Sequence, residues 1–141
     1  MSWFLWALVA AAFWGLGPVF AKLGLSKPDA LTTLIIRSIA VLIVLLVWGL
    51  LRGGLTGRLA DVDSRTWVLL LFEGASASVI AHFAYFNALK MGTVANVVPV
   101  TASYPLLAML LSAALLGTRV TPGKWLGAVF TVVGVYFLQR F

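Results

Sequence analysis

Cysteine is missing from this sequence, and charge is scarce: the 141 residues include no Cys, four acidic side chains and a single His. The first absence removes disulfides, thiolate metal sites and cysteine nucleophiles. The second leaves little from which to build a catalytic site. There is no Ser/His/Asp spacing, no His-Glu zinc motif and no Gly-rich phosphate loop. The chain is therefore not read as an enzyme, and no catalytic residue, metal or cofactor is expected.

Apolar side chain is abundant instead. Hydrophobic residues make up 62% and charged residues only 10%, where a soluble domain is about half apolar and a quarter charged. A small domain keeps much of its surface exposed, so water cannot be the solvent for this composition. The lipid bilayer is the first partner expected. A net charge of +6 would suggest nucleic acid in a soluble protein. Here the ten basic residues lie mainly between or at the ends of apolar runs, as they do beside membrane spans, and nucleic acid is not an expected partner.

A helix needs about 20 apolar residues to cross the hydrocarbon core. Five segments meet or approach this, at roughly 3–21, 30–51, 66–89, 93–116 and 125–138. The first is not a signal peptide: no basic residue precedes it, and it carries Trp3, Trp6 and Trp14. The fifth is short, but Lys124 and Arg140 can snorkel outward from its ends. Breakers separate the runs: Lys27-Pro28-Asp29, then Arg52-Gly53-Gly54 opening the longest loop, Lys90-Met91-Gly92, and Gly117 to Gly123 around Pro122. Asp63 or Ser64 is the expected N-cap of the third span. The apolar runs are continuous rather than alternating, which argues against a membrane barrel. The expectation is one all-α integral membrane domain over 1–141 with no soluble part.

Five crossings put the termini on opposite sides. One side then collects Arg52, Arg58, Arg65, Arg119 and Lys124, and the other Lys22, Lys27, Lys90 and Arg140, with Arg37 if it reaches that interface. The positive-inside bias is close to nil. Either a local feature such as the three arginines of the long loop fixes orientation, or the chain inserts both ways up and antiparallel copies pair as an inverted repeat.

An ordered set of motifs runs along the whole chain: Phe13-Trp14-Gly15 with Pro18, Phe20 and Lys22; Arg37; Tyr85-Phe86-Asn87-Ala88-Leu89-Lys90 followed by Ala95, Asn96, Val97 and Pro99; Pro105-Leu106-Leu107-Ala108 to Leu116-Gly117; Lys124-Trp125-Leu126-Gly127; and Gly134-Val135. This set resembles the EamA-type five-helix domain of the drug/metabolite transporter superfamily. Most relatives carry two such domains as inverted repeats, so the resemblance implies half a transporter that dimerises with itself or with a paralogue. It also implies a multi-pass protein of a cell membrane, bacterial or archaeal. The implied function is secondary transport or export of a small polar or amphipathic metabolite or drug by alternating access. A lipid-headgroup flippase and a non-transporting accessory subunit are the rival readings. The sequence departs from the family at Thr118, where a glutamate is usual, so no role of that acid carries over.

Ionisable groups inside a bilayer are costly and invite a functional reading. Glu73 is the one acid within a span: it binds a cation or couples a proton, or it pairs with Arg58 or Arg65. His82 lies nine residues on, on the opposite face at 100° per residue, sharing a side with Ser78 and Tyr85 as a proton path or as packing. Glu73, Ser76, Ile80 and Asn87 form a mixed stripe on the other side. Arg37 suits a carboxylate or phosphate, or else satisfies loop carbonyls. Trp14, Tyr85 and Tyr104 form an aromatic wall or simply pack. Asn96, Pro99, Thr101, Ser103 and Pro105 mark a broken helix of the kind that builds transport sites, or a static kink. Gly127, Thr131 and Gly134 lie close to one face and suggest a packing or dimer seam.

Overall fold

The computed structural model describes residues 2–140, and every regular element among them is helical. Without water, backbone polar groups must be satisfied inside the segment that carries them, and a helix does this. Four stretches are long and apolar enough to cross a membrane: Trp3–Gly24, Ala30–Leu51, Ser64–Met91 and Val94–Leu116. The chain is a multi-pass membrane protein. We number the helices α1 (Trp3–Gly24), α2 (Ala30–Leu51), α3 (Leu55–Ala60), α4 (Ser64–Glu73), α5 (His82–Met91), α6 (Val94–Thr101), α7 (Tyr104–Leu116) and α8 (Pro122–Arg140). A π-helical segment, Gly74–Ala81, joins α4 to α5. At 19 residues, α8 is about 28 Å long, but its polar ends leave it less apolar than the other four.

Residues 20–90 form one compact unit. Its core is small: Leu25, Ala30, Leu34, Phe86 and Leu89 are buried, Leu89 completely. The turn after α1, the start of α2 and the helix α5 supply these residues. Two lysines tie the same corner together. Lys22 Nζ donates to the Leu89 carbonyl, and Lys90 Nζ donates to the Pro28 carbonyl at 3.0 Å. The last carbonyls of a helix have no partner within it, so a cation reaching Leu89 O supplies what α5 cannot.

The N-caps follow from residue chemistry. Asp29 accepts from the Thr32 amide at 2.8 Å, and Asp63 accepts from the Thr66 amide at 3.1 Å and the Thr66 hydroxyl at 2.6 Å, each covering an orphan donor of a first turn. Hydrogen bonding to Thr32 holds the Asp29 carboxyl below its ordinary value, helped by the charge of Lys90. Thr66 does the same for Asp63. Between α2 and α4 the sequence suggests only loop, whereas the structure adds α3. The reversal into it uses Gly53 and Gly54 at φ 67° and 64°, a backbone region that side chains disfavour. Arg58 then donates to the carbonyls of Gly53 at 2.6 Å and Arg52 at 3.3 Å, while the Arg52 guanidinium stacks 5.4 Å from the Trp48 ring centre.

The second unit holds residues 1–19 and 91–141. Here α6 packs on α8, and Gln139 Nε2 donates to the Asn96 carbonyl at 2.6 Å. The stretch Val94–Leu116 is broken: α6 ends at Thr101 and α7 begins at Tyr104. Pro99 and Pro105 lack amide protons, so they free the carbonyls four residues earlier. Hydroxyls add bonds around the break, though not to those two carbonyls: Thr101 Oγ1 donates to Val97 O and Val98 O and Ser103 Oγ donates to Val100 O. Large apolar side chains are mostly exposed in both units, Phe72 at 74% and Leu111 at 57%, as expected where hydrocarbon is the neighbour.

Candidate functional site

The helix Ser64–Met91 spans 28 residues and changes register in its middle. Its π segment, Gly74–Ala81, runs between the two titratable residues singled out from the sequence, Glu73 and His82. Such segments concentrate at functional sites because the wider turn is less favourable than an α-turn. Side chains stabilise both ends. Ser76 Oγ donates to the Glu73 carbonyl at 3.0 Å. At the other end the His82 backbone amide bends to Val79 O, and His82 Nδ1 lies 2.8 Å from Ala77 O. A carbonyl oxygen only accepts, so the hydrogen bond assigns the proton to Nδ1 and leaves Nε2 as the acceptor of the neutral ring.

This register corrects one expectation. The spacing of 100° per residue that sets Glu73 and His82 on opposite faces holds only for an α-helix. A segment closed by i→i+5 hydrogen bonds turns by about 80° per residue, and nine such steps return close to the starting direction. The α-helical stripe of Glu73, Ser76, Ile80 and Asn87 is dispersed by the same change.

Of the pathway residues, the unit 20–90 carries Arg37, Glu73, His82, Tyr85 and Asn87. The His82 ring stands edge-on to Tyr85 and Phe86, at 6.4 and 5.9 Å between ring centres. Asn87 Nδ2 donates to Phe83 O at 2.9 Å, one turn back in its own helix. Arg37 is half-buried. Among the described residues no loop carbonyl or other group takes its guanidinium, and Pro28 O, in the loop before α2, accepts from Lys90. Arg58 serves the Arg52 and Gly53 carbonyls rather than Glu73.

The other unit carries Trp14, Asn96, Pro99 and Tyr104, with Trp14 and Tyr104 exposed at 68% and 55%. Trp14 is also the residue whose carbonyl Pro18 releases in α1. Asn96 contributes its backbone: its carbonyl accepts from the Gln139 side chain of α8, and its amide donates to the capping hydroxyl of Thr93. On α8, Thr131 Oγ1 donates to Gly127 O at 3.0 Å, and a Cβ built on Gly127 or Gly134 would meet no atom within 4 Å. Thr118, the departure from the family pattern, accepts from Ser112 Oγ at 2.8 Å just past Gly117, which ends α7 at φ 65°.

Sequence reasoning gave Lys22 and Lys90 no role beyond flanking the spans. Their positions bracketing the Lys27-Pro28-Asp29 turn were the available signal. The π segment left a fainter one, a run of small residues, Gly74-Ala75-Ser76-Ala77-Ser78, between two titratable groups.

Comparison with known proteins agrees with this architecture. Over 140 residues, 99% of this chain and 98% of the relative, the sequence is 31% identical to an "uncharacterized transporter in cobO 3′ region" from Sinorhizobium sp. It is 30% identical over 142 residues to a "probable amino-acid metabolite efflux pump" from Salmonella typhimurium, covering 96% of this chain and 48% of that protein. The chain thus spans about half the length of the second relative and nearly all of the first. No solved structure matches it significantly. The family model for EamA-like transporters matches residues 1–140, and the chain belongs to the EamA-like transporter family.

Proposed function

We propose that this chain is one half of a secondary transporter, that α8 makes a fifth crossing, and that two chains in opposite orientation form the working unit. The solute is a small polar or amphipathic metabolite of the amino-acid type, exported by alternating access across a bacterial or archaeal plasma membrane. The single observation that carries the reading is the pair of coverages: one relative has the extent of this chain, and a named efflux pump is about twice as long. An efflux pump containing two such units encodes in one polypeptide what two chains would assemble.

Physical chemistry supports the pairing. Among the described residues only Pro18 is buried outside one corner of the unit 20–90. Polar side chains on the spans, such as Ser38, Glu73 and Ser78, would otherwise face hydrocarbon, where an ionisable group costs a few kcal/mol or more. A second copy laid over them removes that cost. The nearly even distribution of Lys and Arg between the two sides favours insertion in both orientations.

The test is purified protein in liposomes, assayed for flux of labelled amino acids and of amine-free carboxylates. Saturable flux at rates scaling with dimer content is expected. Binding and flux of none of these solutes would support an accessory subunit and overturn the transporter reading.

A further inference from the structure

The π register does more than bring Glu73 and His82 toward one direction. Ser78 lies five residues after Glu73 and four before His82. At about 80° per residue it falls within roughly 50° of both, one turn from each. Carboxylate, hydroxyl and imidazole are thereby stacked on one flank of the helix at successive turns. In an α-helix Ser78 would lie about 140° from Glu73, and the set would not exist.

All three groups present acceptors. Among the described residues neither the Glu73 carboxylate nor Ser78 Oγ has a hydrogen-bond partner. The His82 ring donates through Nδ1 to Ala77 O, so its neutral form offers the lone pair of Nε2 outward. The arrangement is held in place, because Ser76 bonds the Glu73 carbonyl just before the π segment and His82 bonds the Ala77 carbonyl within it. Three acceptors on one flank match an ammonium group with its three donors.

We propose that Glu73, Ser78 and His82 form one ammonium-binding site, created by the π register. This rests on the transporter reading and assigns its recognition site. The probes are L-leucine, its N,N,N-trimethyl derivative, which keeps both charges but has no N–H donor, and 4-methylpentanoate, which lacks the amine. Leucine is expected to bind the reconstituted protein at least tenfold more tightly than either of the others. Glu73→Gln and Ser78→Ala should each weaken leucine binding, Glu73→Gln by roughly 10- to 100-fold, the range for a hydrogen bond to a charged group. Because both touch one ammonium, the double variant should lose less than the product of the two.

Equal affinity for the trimethyl derivative, or strictly multiplicative losses, would overturn the site. So would tight binding of 4-methylpentanoate with none of leucine, while leaving a transporter in place. Ser78→Ala keeps a good helix former and serves as the fold-neutral variant, so loss of binding without loss of monodispersity reports on the site.

Discussion

The complete burial of Leu89 yields a quantitative prediction. Replacing it by alanine removes a side chain that touches the corner formed by Leu25, Ala30, Leu34 and Phe86. In water the cost of such a change combines lost transfer energy with a cavity term. In a bilayer the transfer share largely disappears, because lipid tails are as apolar as leucine and surround the unfolded helices too. What remains is the cavity: roughly 80 Å³ at about 24 cal/mol per Å³, or about 2 kcal/mol. Leu71, on the same long helix and 63% exposed, should cost almost nothing when changed in the same way. Equilibrium unfolding in mixed micelles compares the two. A Leu89→Ala penalty no larger than that of Leu71→Ala would refute the assignment of this corner as the packing centre of its unit.

Other consequences follow from single contacts. Lys22→Met orphans the partly buried Leu89 carbonyl and should destabilise the protein by about 1–3 kcal/mol in the same assay. Asp29 and Asp63 have folded carboxyl values below their ordinary ones, so their caps stabilise above the usual carboxylate range and fail as pH falls through the lowered values. Thermal stability of the wild type should accordingly drop on acidification, and the Asp29→Asn, Asp63→Asn double variant should respond less steeply. Gly127→Leu fills open space, so the chain should remain monodisperse while inter-chain crosslinking along α8 weakens. Unchanged crosslinking would place the dimer seam elsewhere.

Much of this could be read from the residues alone, for identifiable reasons. Continuous apolar runs leave only helices as an option, and Asp29 and Asp63 sit where caps must be, so α1, α2 and α4 begin close to where the sequence suggests. The break between Pro99 and Pro105 was legible because proline removes amide donors whatever surrounds it. Two features were not. Helix α3 is a six-residue element held by Arg58 wrapping back to the Arg52 and Gly53 carbonyls, a tertiary contact with no periodic signature. The π segment escaped because hydrophobic periodicity presumes α spacing. Its stabilising bonds, from Ser76 and His82 to nearby carbonyls, resemble ordinary helix side-chain chemistry until the register is known. The error mattered at the candidate site, where it separated Glu73 from His82.

The central claim is that two chains in opposite orientation form the transporter, and the absence of native cysteine makes it directly measurable. Ser26→Cys marks the turn between α1 and α2, and Thr121→Cys marks the connection between α7 and α8. Each variant is labelled in intact cells with a membrane-impermeant maleimide, and again after permeabilisation. The account predicts that both positions label partially from outside and completely after permeabilisation. Labelling of one position fully and the other not at all would show a single orientation and contradict it.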